Sequence, residues 1–115
     1  MRKLGVVSLG VFVGVASAAA VSAETITGEV VDTFCYTAMG ARGASHKQCA
    51  IDCAKKGIPV GLLENGSNKL YVLLPNKDKA ALPDNVIGKM GSEATITGKV
   101  LANGGSTFLT VESIK

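Results

Sequence analysis

TITGEVVD, residues 25–32, is the stretch that decides the fold, and ATITGKVL, residues 94–101, repeats its pattern near the other end of the chain. In the first copy Ile26, Gly28 and Val30 alternate with threonines and a glutamate, which is typical of a strand with one buried face. Each copy carries a glycine in mid-strand, where a small barrel bends sharply. A true repeat array needs three or more units, so the two copies indicate a small β-barrel.

A hairpin supplies the next two strands of the predicted barrel. Residues 58–63 are an apolar run that predicts a strand. The strand begins at Pro59, because the missing N–H of a proline costs little at a strand start. Asn65-Gly66 is a strong hairpin turn signal, and residues 69–74 form the returning strand.

A short helix and a second hairpin complete the predicted order. Residues 77–82 suit a short amphipathic helix that Pro83 would end. Residues 94–101 form the fourth strand, residues 103–105 turn the chain, and residues 107–114 return as the fifth. The sequence thus predicts a mainly β protein of five strands.

CYTAMGARGASHKQCAIDC, residues 35–53, holds all three cysteines and the only histidine of the chain. His46, Cys49 and Cys53 are spaced i, i+3, i+7, so in a helix they fall within a stripe about 60° wide. Three soft donors would then face one way.

A helix over these donors is indicated at both of its ends. Ser45 is a suitable N-cap, and Gly57 follows the last lysines as a C-terminal glycine. Cys35 ends the first strand, and a loop containing Gly40 and Gly43 is flexible enough to bring it alongside. The prediction is a Cys3His set of Cys35, His46, Cys49 and Cys53.

The arrangement of elements resembles the OB-fold, a small five-stranded barrel. Residues 25–32 are similar to the opening strand of exported OB-like domains, and residues 94–115 to their closing hairpin. The resemblance implies a barrel with a helical insertion after the first strand and a short helix between strands three and four. The segment from Asp32 to Pro59 also resembles a group of small exported bacterial proteins with the pattern Asp-x-x-Cys…His-x-x-Cys-x-x-x-Cys…Gly-x-Pro. That likeness implies a fold and a site, and no particular activity.

The N-terminus has the pattern of a secretory signal peptide. Arg2 and Lys3 precede a short apolar run, and Val-Ser-Ala leads to expected cleavage after Ala23. We therefore expect residues 1–23 to be removed, with no membrane anchor left, and residues 24–115 to form one domain in the periplasm or outside the cell, its insertion at about residues 33–57.

The charge of the mature chain excludes one class of partner. Without Arg2 and Lys3, ten of the twelve basic residues remain against nine acidic ones. The chain has no tryptophan and few other aromatic residues. Nucleic-acid binding uses a basic field and stacking platforms, so we do not expect it. The expected partners are a metal ion and another exported protein.

Three interpretations of the cysteines differ in their chemistry. In the first, the Cys3His set binds zinc or copper(I) tetrahedrally, for a structural role or for metal carriage or sensing. A closed site of four ligands argues against hydrolytic catalysis, so no enzyme is expected. In the second, a disulfide of Cys35 with Cys49 or Cys53 staples the insertion to a ligand-binding barrel. In the third, Cys49 is the nucleophile of a thiol-redox protein, although no Cys-x-x-Cys motif is present.

Two neighbours of the donors have alternative roles. Asp32 is expected to be a surface carboxylate at the end of the strand, the alternative being a hydrogen bond to His46. Met39 is expected to pack in its loop, the alternative being a thioether ligand for copper(I).

Overall fold

The computed structural model describes residues 21–115. The helices and strands are β1 (Ala23–Asp32), α1 (Thr33–Met39), α2 (Lys47–Lys55), β2 (Val60–Glu64), β3 (Leu70–Pro75), α3 (Asp84–Ile87), β4 (Glu93–Asn103), β5 (Ser106–Val111) and β6 (Ser113–Ile114). A 3₁₀ turn, Ala44–His46, leads into α2. Nearly all of the predicted signal peptide lies outside the described residues, so it stays a prediction.

The strands close into a ring because β1 has a partner on each side. It pairs antiparallel with β2 and with β4. β2 continues to β3, β3 pairs parallel with β5, and β5 pairs antiparallel with β4, which closes a mixed five-stranded barrel. The predicted mainly β, OB-like barrel is confirmed. So are its helical insertion after β1 and its short helix between β3 and β4.

Close backbone approaches explain the glycine in each repeated stretch. A Cβ atom at Gly28 would overlap the carbonyl group of Leu63, and one at Gly98 would overlap the carbonyl group of Thr110. Only glycine fits where the strands approach so closely, a reason that differs from the sharp bend expected from the sequence.

The barrel interior is apolar and holds the inward residues of every main strand. Its most deeply buried large side chains include Leu62, Ile96 and Leu109. Ala50 of α2 also belongs to this core and is 1% exposed. The insertion is therefore packed onto the barrel through α2.

The helix predicted over residues 77–82 is wrong in position. Residues 77–79 are exposed, and Lys79 has a left-handed φ of 63°, so this part of the chain is a turn. The helix α3 begins after Pro83, whose extended conformation suits the residue before a helix. It buries Val86 in the core.

The last strand differs from its predicted single run over residues 107–114. It is broken at Glu112, whose N–H donates to the carbonyl of Thr97 at 2.9 Å. The short β6 then pairs with β4 as a sixth strand beside the barrel. Within residues 21–115, no helix has the length and apolar character needed to cross a membrane.

Candidate metal centre

Asp32 turns the chain from β1 into α1 and so places Cys35. Its backbone is extended, and its Oδ1 accepts a hydrogen bond of 2.7 Å from the N–H of Cys35, which makes it the N-cap of α1. Gly40 ends the helix in a left-handed conformation, φ 69°. The predicted continuation of the strand through Cys35 is therefore wrong, because a side-chain cap starts a helix at Thr33. Cys35 lies in its first turn and is 5% exposed.

The helix α2 carries the other two cysteines, as predicted, but begins differently. The 3₁₀ turn places His46, and not Ser45, directly before α2, and the His46 side chain makes no cap hydrogen bond there. At the other end Gly57 has φ 99°, and the N–H of Ile58 donates to the carbonyl of Cys53 at 3.0 Å. This is a Schellman ending, which confirms the predicted role of Gly57.

The three cysteines converge from the two helices. The sulfur atoms of Cys35, Cys49 and Cys53 all lie within 4.8 Å of one another, and all three are free thiols. Three sulfurs bound tetrahedrally at about 2.3 Å from zinc are about 3.8 Å apart, so a small adjustment brings them onto one ion. Cys35 is buried, Cys53 is partly buried and Cys49 is exposed. The group therefore runs from the protein interior to solvent.

His46 belongs to a second group that shares Cys35. Ligand atoms of Asp32, Cys35 and His46 lie within 4.8 Å of one another, and His46 Nε2 is 3.0 Å from Asp32 Oδ2. In the described residues the histidine is thus grouped with Asp32 and Cys35, while Cys49 and Cys53 are grouped with Cys35 alone. Cys35 is the link between the two triads.

Asp32 is not the surface carboxylate that was expected. It is 1% exposed, and its two oxygens are divided between the N–H of Cys35 and the ring of His46. A signal for this role was available, because an aspartate three residues before Cys35 is a favourable helix N-cap. The interpretation failed because Cys35 was assigned to a strand.

Burial in the protein and the neighbouring Asp32 carboxylate favour the protonated thiols of Cys35 and Cys53. Burial, and after it the hydrogen bond and negative charge of Asp32, together raise the pKa of Cys35 to about 12. The pKa of Cys53 is also raised, first by burial and then by the charge of Asp32. A metal ion must therefore displace these protons, and its positive charge would then offset both thiolates and the carboxylate.

Polar contacts outside the donor set fix the insertion to the barrel. The Glu29 carboxylate pairs with Arg42 at 2.8 Å and accepts the N–H of Gly43. Lys47 Nζ donates to the carbonyl of Gly88 at 3.0 Å. A Cβ atom at Gly91 would lie 2.8 Å from the Gly43 carbonyl, so the loop sits directly on this glycine. These contacts join residues far apart in sequence, and no local pattern predicted them.

Two large apolar side chains of α1, the helix that carries Cys35, remain exposed. Met39 is 66% exposed and Phe34 is 59% exposed. The expectation that Met39 packs in a loop is wrong, because it ends a helix and points to solvent.

Comparison of the chain with protein-family models, with curated proteins and with solved structures finds no match. The assignment of the site therefore rests on its residues and their geometry.

Proposed function

We propose that this chain is an exported metal-binding protein that holds one soft or borderline ion, zinc or copper(I), on the thiolates of Cys35, Cys49 and Cys53. The observation that carries the proposal is the mutual approach of the three sulfurs to within 4.8 Å. Thiolates select copper(I) and zinc over hard cations such as magnesium.

His46 is proposed as the fourth donor, through Nδ1. Its Nε2 is engaged by Asp32 at 3.0 Å. A histidine that binds a metal commonly donates its other ring N–H to a carboxylate, which fixes the tautomer and the ring orientation. The buried Asp32 supplies that carboxylate, so the pair is suited to hold an imidazole in its ligating form.

The exposure of the site favours metal carriage or sensing over a structural role. Cys49 is exposed, so an incoming ligand can reach the ion from solvent. Cys49 and Cys53 are not buried, and the hydrophobic cluster inside the barrel is formed by residues other than the three cysteines. Loss of the ion should therefore leave the barrel folded.

Thiol counting together with metal analysis tests the proposal. The purified protein is loaded with zinc, freed of excess ion, and its thiols are titrated after denaturation without reductant. We expect three thiols and one equivalent of zinc per chain. One thiol and no metal would contradict the proposal and would support a disulfide between two of the cysteines, with the barrel as an interaction module.

Two substitutions test whether His46 is a ligand of the metal ion. His46→Ala should lower zinc affinity about 100-fold or more, because the loss of a residue that only orients a ligand already costs about 10- to 100-fold. Ser45→Ala is the matched control, because Ser45 is its exposed neighbour in the same 3₁₀ turn. Equal zinc affinity of His46→Ala and the unsubstituted protein would remove His46 from the donor set and leave a three-cysteine site.

A further inference from the structure

Met39 lies on the same side of α1 as Cys35. The two residues are spaced i, i+4 in one helix, which at 100° per residue places them about 40° apart around the axis. Side chains at this spacing are neighbours, with Cβ atoms about 5–6 Å apart. The Cys35 sulfur is within 4.8 Å of the other two cysteine sulfurs. The helical spacing therefore puts the Met39 side chain within reach of the Cys35 sulfur.

The backbone that carries Met39 is fixed although its side chain is exposed. Asp32 caps α1 at its start, and the N–H of Gly40 donates to the carbonyl of Tyr36 at 2.8 Å at its end. With 66% of its surface exposed, Met39 contributes little to packing. A long, flexible thioether is thus presented to solvent from a fixed helical turn.

We infer that Met39 is an additional ligand that raises the affinity of this site for copper(I) without raising its affinity for zinc, and this inference rests on the proposed metal-binding function. A thioether is a soft donor that suits copper(I), whereas zinc in proteins takes thiolate, imidazole and carboxylate ligands. Three thiolates with a thioether beside them form a sulfur-rich donor set. Cys49 and Met39 are its two exposed members.

Substitution of Met39 tests the inference by comparing two metals. Met39→Leu keeps an apolar side chain of similar size and removes the sulfur. Phe34→Leu is the matched control, because Phe34 is an exposed apolar residue of the same helix that lies about 100° from Cys35 around the axis. Copper(I) affinity is measured without oxygen by competition with a chromophoric copper(I) chelator, and zinc affinity by competition with a chromophoric zinc chelator.

We expect Met39→Leu to lower copper(I) affinity about tenfold and to leave zinc affinity unchanged, with Phe34→Leu changing neither. Copper(I) affinity within about twofold of the unsubstituted protein would overturn the inference, as would an equal loss for both metals, which would mark a structural role. If the unsubstituted protein binds zinc and no copper(I), this inference fails and the proposed function stands. If it binds neither ion, the proposed function itself fails.

Discussion

At the scale of single residues, Asp32 joins the fold to the site. Its Oδ1 starts α1 by capping the N–H of Cys35, and its Oδ2 orients His46. Asp32 is buried, so its carboxylate would be costly to leave without these partners. One side chain thus sets the position of two predicted donors.

Replacing Asp32 should separate its two contributions. Asp32→Ala loses a helix cap worth about 1 kcal/mol and leaves the part-buried His46 without its partner, which costs less than the about 1–3 kcal/mol of a fully buried group because solvent reaches the ring. Asp32→Asn retains an oxygen that can cap the helix, so we expect less than half of that loss. Urea unfolding of the reduced, metal-free protein measures both. Equal losses in the two variants would show that capping contributes nothing.

The protonation of Cys35 should make the metal-free protein less stable in alkali. Its folded pKa of about 12 lies above the ordinary 9.0, so the unfolded chain releases this proton first as the pH rises. The contribution of protonated Cys35 to the free energy of unfolding is therefore fully present below about pH 9 and is lost as the pH rises towards 12. The free energy of unfolding, measured with urea, should therefore be lower at about pH 10.5 than at about pH 8.

Cys35→Ala is the control for this pH dependence. Cys53 and Tyr71 also have a raised pKa, and both remain in the variant. The variant should therefore lose less stability than the unsubstituted protein over the same pH range. An identical loss in both proteins would rule out Cys35 as a source.

At the scale of elements, the sequence predicted those strands, turns and helix ends that depend on interactions between residues close together in the chain. The strands, the hairpin turn around Gly66 and the ending of α2 at Gly57 depend on alternation and on turn residues, and these were visible in the sequence. The start of α1 was missed because an apolar run after Asp32 suits a strand as well as a helix. The pairing of Glu29 with Arg42 depends on how the insertion folds back, which no local pattern contains.

The mid-strand glycines should be irreplaceable. Gly28→Ala or Gly98→Ala would force a Cβ atom into a backbone carbonyl, and we expect a loss of about 3 kcal/mol or more. Gly88→Ala is the matched control, because Gly88 has φ −64° and its nearest atom to a new Cβ would be 3.7 Å away. That variant should stay within about 0.5 kcal/mol of the unsubstituted protein. Thermal or urea unfolding measures all three, and a tolerated Gly98→Ala would contradict the barrel register.

At the scale of the whole molecule, the barrel and the site are separable. The core cluster is formed by strand residues together with Ala50, Val86 and Met90, whereas the cysteines belong to the insertion that packs on the barrel. The sequence predicted this division because alternation marks the strands and the donors cluster in one stretch. It could not predict that His46 is grouped with Asp32 and Cys35, which depends on the fold of the 3₁₀ turn and α1.

Removal of the metal should therefore weaken the protein without unfolding it. At a free zinc concentration of about 100 times Kd, binding should add about 2.7 kcal/mol to the free energy of unfolding. With a chelator present, circular dichroism should still show the folded barrel and a lower melting temperature. A chain that is unfolded without metal would show that the site is structural and would exclude carriage.

X-ray absorption at the zinc edge of the loaded protein tests the central claim most directly, since it counts the atoms bound to the ion. The account predicts three sulfurs at about 2.3 Å and one nitrogen at about 2.0–2.1 Å. A shell made of oxygen and nitrogen atoms alone would contradict it, because the ion would then be bound away from Cys35, Cys49 and Cys53.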